Sequence, residues 1–224
     1  MLNYKVVYSA RSSIGINVSP EKGVTVRAPY GTNLKTIEKV VEAKSEWIRK
    51  HLERNRGLTR LNDNISFHEG SLLFFRGKEY PLRIKQASAN RIEVTEDEII
   101  LSTVYPDNTV RIRALIGKWY LSEASGHFKT ILKELLKKYE AYRFFPSALV
   151  VKSMKRRWGS CSSQGRITLN SELIKLDDIY TEYVILHELC HLRYPNHGKD
   201  FYRLLGEVFP DWKAVKKDLG NYLS

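Results

Sequence analysis

The stretch Val184-Ile-Leu-His187-Glu188-Leu-Cys-His191-Leu-Arg-Tyr-Pro-Asn-His197 is the one around which the rest of the chain is read. His187 and His191 lie four residues apart within an apolar run. On a helix that spacing projects both imidazoles from one face, a turn apart, so that two nitrogens reach one point. Glu188 follows about 100° around the same helix, beside that point and not on it. Pro195 ends the helix. The break at Tyr194-Pro195 lets the chain turn, so His197 comes back toward the pair.

This pattern of residue types belongs to a metal centre. A catalytic zinc takes three protein ligands and keeps a position for water. His187, His191 and His197 supply three neutral imidazoles, which predicts one Zn2+ per chain. Zinc lowers the pKa of bound water to about 7, and Glu188 is the general base that takes its proton and returns it to a leaving amine. Tyr194, Asn196 and Tyr202 are near enough in sequence to supply an oxyanion donor, and sequence does not choose among them. Cys190 falls on another side of the helix and reads as a small core residue. Cys161 reads as a buried or loop thiol, with a place near the site left open. His51, His68 and His127 have no partner at ligand spacing and read as structural or surface residues.

The 224 residues suffice for one sizeable core or two modest ones. A hydrophobic fraction of 42% and a charged fraction of 28% are those of an ordinary globular protein. There is no apolar run near 18 residues and no secretory leader pattern, so the expectation is a cytoplasmic protein without a membrane partner. Two cysteines make no disulfide framework. The net charge of +12 favours polyanionic partners, and the basic residues are scattered along the chain.

Hydrophobic periodicity predicts strands over 4–8, 13–18 and 23–28, the last two forming a hairpin. A helix capped by Thr32 or Asn33 comes next, with Ile37, Val40, Val41, Trp47, Ile48 and Leu52 on its apolar stripe. Two more hairpins are expected, over 72–84 with a Gly77-Lys78 turn and over 91–102 across Glu96-Asp97. From Asp107 the pattern is helical to about 141, with a break possible near Gly126. Residues 149–151 and 155–158 look extended, and 165–170 forms a strand. Asp177 or Asp178 caps the His187 helix. Two further helices complete the chain, one carrying Phe201, Leu204, Leu205 and Val208 and the other covering about 212–222. The reading is an α+β protein: an N-terminal β-rich α+β module over 1–104 and a C-terminal domain over 105–224.

Arg157-Trp-Gly-Ser-Cys-Ser-Ser163, Gly165-Arg-Ile-Thr-Leu-Asn170, the His187 to His191 motif, and Asn196-His197 followed by Phe201 resemble the YgjP-like metallopeptidase domain family. Val26-Arg-Ala-Pro29 and Trp47-Ile48 extend the likeness over nearly the whole chain. That family is related to the SprT-like and WLM zinc proteases. The resemblance implies a zincin-like C-terminal domain in which a small sheet lies over the active-site helix and the third ligand comes from the next helix. It implies a zinc metallopeptidase acting on a protein or peptide, with the 158–170 region as the strand beside the site and Trp158, Asn170 and Tyr202 as substrate-binding candidates. The free edge of such a strand suits an extended peptide. The ligand spacing also matches the metzincins. Tyr194 stands where their Gly would be, however, and no Met follows His197 to make a Met-turn. The alternative reading is a basic, nucleic-acid-associated binding module whose zinc site is structural or inactive.

Overall fold

The computed structural model describes residues 3–19, 23–46, 48, 49, 67–220 and 222. It is an α+β protein with ten strands in three small sheets and five α-helices among the described residues. The chain divides into two compact units, Met1–Ile65 and Ser66–Ser224.

In the first unit, β1 (Tyr4–Ser9), β2 (Gly15–Ser19) and β3 (Gly23–Pro29) make a sheet with β3 in the middle. The β2–β3 pair is the antiparallel hairpin that the turn residues imply, and β1 joins β3 in parallel. Val18, Val24, Val26 and Ala28 bury one face of this sheet together with Ile37, Val41 and Ile48. Helix α1 (Leu34–Ala43) starts at Asn33, whose side chain accepts from the Lys35 amide at 3.0 Å. It ends at Lys44, and Ser45, Glu46, Ile48 and Arg49 are helical again beyond it. Trp47, His51 and Leu52 lie outside the described residues.

The second unit opens with β4 (Leu72–Phe75), β5 (Lys78–Gln86), β6 (Arg91–Val94) and β7 (Ile99–Thr103) in the order β4-β5-β7-β6. The compact units part at Ile65–Ser66, ahead of this sheet, whereas the change from strand-like to helical pattern near Asp107 put the boundary at 104/105. The physical reason is that β4 is tied to the long helix C-terminal to the sheet. The Tyr120 hydroxyl donates to the Phe74 carbonyl at 2.7 Å, and Trp119 packs on Phe75 with ring centres 5.1 Å apart.

The tip of the β4–β5 hairpin explains a further difference. Its loop is Arg76-Gly77, one residue earlier than expected, with φ of 49° and 77°. Both residues are left-handed, as a two-residue hairpin of this twist demands. The Arg76 and Gly77 amides donate to the carbonyls of Ile174 and Lys175 at 2.8 and 3.2 Å. A Cβ on Gly77 would collide with the Asp177 carboxylate and stand 3.3 Å from the Asp177 Cα. Only glycine allows the tip to seat this closely.

Helix α2 (Thr109–Lys138) runs unbroken through Gly126, with Asn108 as its cap. Ala124 and Phe128 bracket that glycine in the core, and their burial outweighs the roughly 1 kcal/mol that a helical Gly costs. β8 (Ala148–Lys152), β9 (Gly159–Cys161) and β10 (Arg166–Asn170) form the third sheet, in the order β8-β10-β9. Residues 155–158, read as extended, are instead a bent connection whose strand begins at Gly159. Helix α3 (Asp178–His191) is buried around most of its circumference, packed by α2, α4 (Lys199–Val208), α5 (Trp212–Gly220), β9 and β10. Such a helix is a core element and not an amphipathic surface one. No helix among the described residues is long and apolar enough to cross a membrane.

His127 and Arg76 converge on Asp178, the first residue of α3, with contacts of 2.7 and 2.9 Å. His127, unpartnered when read from sequence, thus has a structural role. Burial raises the Asp178 carboxyl, but the hydrogen bonds from His127 and Arg76 outweigh it and hold it below its ordinary value. A depressed carboxylate adds stability above its unfolded pKa, and that stability is lost as pH falls through the folded value. Arg76→Ala is therefore expected to cost about 0.5–1 kcal/mol near neutral pH, a small figure because the pair is partly exposed. Urea denaturation should show the gap to wild type closing as pH falls below the ordinary carboxylate value and through the lowered value of Asp178.

Candidate active-site cleft

Three histidines from the end of α3 and the start of α4 come together. One ring nitrogen of each of His187, His191 and His197 lies within 4.8 Å of those of the other two. The Nε2 atoms of His187 and His197 face one another at 3.0 Å. His191 Nδ1–H donates to the Tyr194 carbonyl at 3.0 Å, which leaves its Nε2 lone pair for a cation. Tyr194 therefore enters the site through its backbone, because the helix stops there and frees its carbonyl.

Burial pushes His187 down to about 3, and the neighbouring His191 and His197 act in the same direction. Burial lowers His197 as well. Both rings are thereby held neutral, the form in which imidazole binds metal. Convergent neutral imidazole nitrogens of this kind fit a divalent cation such as zinc.

Phe201 is the hub of this cluster. Fully buried on α4, it stands 5.0, 4.6 and 4.7 Å, centre to centre, from the rings of His187, His191 and His197. In sequence it is one apolar residue of a helical stripe, and the stripe does not show that its ring touches all three imidazoles. Tyr202, the next residue, stacks between His197 and Trp212 with centres 6.1 and 4.8 Å away.

Glu188 is 5% exposed, and burial pushes it up to about 7 while the Arg157 guanidinium pulls it down. Its carboxylate lies under β9. A Cβ on Gly159 would come within 2.7 Å of Glu188 Oε1 and 2.7 Å of a Val184 methyl. Glycine at 159 is what lets the strand approach the helix closely enough to cover the carboxylate, and sequence reading had no means of assigning it that task.

Two hollows meet at this strand. A cleft of about 850 Å³ holds His187, Glu188, His191 and His197 on its floor and β9 along one wall. Cys161, a free thiol, lines it. A pocket of about 280 Å³ on the other side is walled by Trp158, Tyr183, Val184 and Leu219 and also reaches His187 and Glu188. Trp158 thus borders the site, its indole N–H donating to the Leu219 carbonyl at 3.2 Å. Asn170 does not line either hollow. It is 1% exposed, and its amide donates to the Met154 and Arg157 carbonyls and accepts from the Met154 and Glu172 amides. Those bonds pin the 154–157 connection, a scaffold task in place of substrate contact.

Two substitutions test this arrangement. Gly159→Ala is expected to displace Glu188 and lower any hydrolytic activity about 10–100-fold with the metal content of the protein unchanged, as read by metal analysis beside an activity assay. Phe201→Ala should destabilise the fold by about 3–5 kcal/mol and weaken metal affinity by about 10–100-fold, as read by denaturation and chelator competition.

The chain was compared with known proteins. No curated protein matches it. Among solved structures, the crystal structure of the metallopeptidase zymogen abylysin of Pyrococcus abyssi aligns at TM-score 0.37 and 21% identity, covering 41% of this chain and 90% of that one. The metallopeptidase zymogen jannalysin of Methanocaldococcus jannaschii aligns at TM-score 0.38 and 26% identity, covering 43% of this chain and 97% of that one. A family model for the YgjP-like metallopeptidase domain matches residues 12–222, nearly the whole sequence, and the chain accordingly belongs to the YgjP-like metallopeptidase family.

Proposed function

We propose that the protein is a zinc-dependent peptidase in which His187, His191 and His197 would hold one zinc ion and Glu188 is the general base. The observation that carries this is the convergence of the three imidazole nitrogens beside a buried carboxylate on the floor of an open cleft. When bound, zinc supplies Lewis acidity that makes water nucleophilic near neutral pH and polarises the scissile carbonyl.

The rest is the work of the chain's own groups. The Glu188 carboxylate takes the proton of the attacking water and passes it to the leaving amine. Its cover by Gly159 keeps bulk water away and fixes its direction. The hydrogen bond from His191 Nδ1 to the Tyr194 carbonyl sets that ring's tautomer. Among the described residues β9 pairs with β10 alone, so its other edge offers backbone groups to an extended peptide laid along the cleft. Trp158 and Tyr183 then line the 280 Å³ pocket that takes an apolar side chain. Tyr202, stacked on His197, stands by that ligand as the third substrate-side candidate.

Glu188→Gln is expected to keep about one zinc per chain and to lower peptide hydrolysis at least ~10²-fold. His197→Ala should lose stoichiometric zinc. A peptide-library digest with zinc quantification on each variant reads both effects. Hydrolysis that survives Glu188→Gln would rule out the proposed base, and full zinc affinity in His197→Ala would rule out the ligand set.

A further inference from the structure

Three guanidinium groups border the cleft; Arg157 acts on the Glu188 carboxyl through its charge, and none of the three takes or gives a proton in the hydrolysis. Arg143, Arg157 and Arg193 come from three separate segments: the turn after α2, the connection before β9, and the stretch just beyond α3. All three residues line the cleft and are exposed, and Glu188, the one acidic residue that lines it among the described residues, is buried beneath Gly159. The exposed lining of the cleft is therefore cationic. Like charges lining a concave site reinforce one another's field.

None of the three guanidiniums is paired with a carboxylate among the described residues. Arg193 is oriented all the same: one of its Nη atoms donates to the Tyr142 carbonyl, and its guanidinium stands 5.8 Å from the Phe144 ring centre. A backbone carbonyl fixes the side chain without cancelling its charge. Arg143 sits at φ 49° and ψ 54°, a left-handed conformation unfavourable for any residue but glycine. Gly would satisfy the local turn at less cost, and the arginine there adds a guanidinium to the cleft lining. Phe145, 80% exposed, adds an aromatic surface to the same wall.

We propose that Arg143, Arg157 and Arg193 make the cleft selective for peptides with acidic side chains close to the scissile bond. The inference rests on the peptidase reading and names its substrate class. Guanidinium forks match carboxylates in geometry and in charge. Peptide fits better than nucleic acid because the cationic groups line the hollow that holds the hydrolytic floor, and its roughly 850 Å³ suits a few extended residues.

The test uses zinc-loaded Glu188→Gln protein, so that binding is read apart from cleavage. Three fluorescent peptides of equal length carry Glu, Ala or Lys at the flanking positions, and anisotropy is measured at low and high salt. The Glu peptide is expected to bind about tenfold tighter than the Ala peptide at low salt, with the Lys peptide weakest and the spread shrinking as salt rises. Arg143→Gly, which suits the left-handed backbone, should bring the Glu-to-Ala ratio down severalfold, and Arg143→Lys should retain most of it. Equal affinity for the three peptides, or a preference unmoved by Arg143→Gly, overturns the proposal. It is also overturned if a single-stranded DNA oligonucleotide displaces the Glu peptide at lower concentration than unlabelled Glu peptide does, and Arg143→Gly removes that advantage. Acid-selective binding with no hydrolysis of any peptide by the wild type would uphold the recognition surface and sink the peptidase reading.

Discussion

Helix α3 carries two imidazoles and a carboxylate into a place where burial penalises every charged form, and the structure around it answers that constraint. Glu188 is driven upward and His187 downward by the same loss of water. Groups in that state keep a useful geometry only if nothing nearby can relax. Phe201 touches all three histidine rings, and Gly159 lets the strand close over the carboxylate. Close packing of this kind tolerates little displacement, so Phe201 and Gly159 hold the imidazoles and the carboxylate in register.

The far end of α3 is fixed by different means. There the hairpin tip at Arg76-Gly77 gives its amides to the turn that precedes the helix, while Arg76 and His127 hold Asp178. The N-terminal end of α3 is thus held by hydrogen bonds and charge, and its C-terminal end by aromatic packing. A helix clamped at both ends presents His187, Glu188 and His191 in one register, and the turn at Tyr194-Pro195 brings His197 to meet them. The sheet that provides the first clamp lies in the same compact unit as the site, which is why the boundary between units falls before it.

The α+β class, most elements and the family were legible in the residues. Periodicity located the long helix and the hairpins because burial repeats at 3.6 or 2 residues whatever the tertiary partner. It left a break at Gly126 open, since the burial of Ala124 and Phe128 that overrides its propensity belongs to the assembled core. It set the β4–β5 turn one residue late, because the amide partners of Arg76 and Gly77 lie in a segment about a hundred positions downstream. The family likeness offered Asn170 as a substrate-binding candidate, since nothing local shows that its amide is already taken by the 154–157 connection.

What the sequence by itself determined is the candidate ligand set and its base: spacing along one helix, followed by a proline and a histidine, is a local property of covalent geometry. What only the tertiary structure decided is the setting of those groups. That Phe201 is the common neighbour of three imidazoles, that Gly159 roofs Glu188, and that Arg143, Arg157 and Arg193 border one cleft are relations among segments far apart in the chain. No period or motif encodes such distances. They arise from which faces the core packs together.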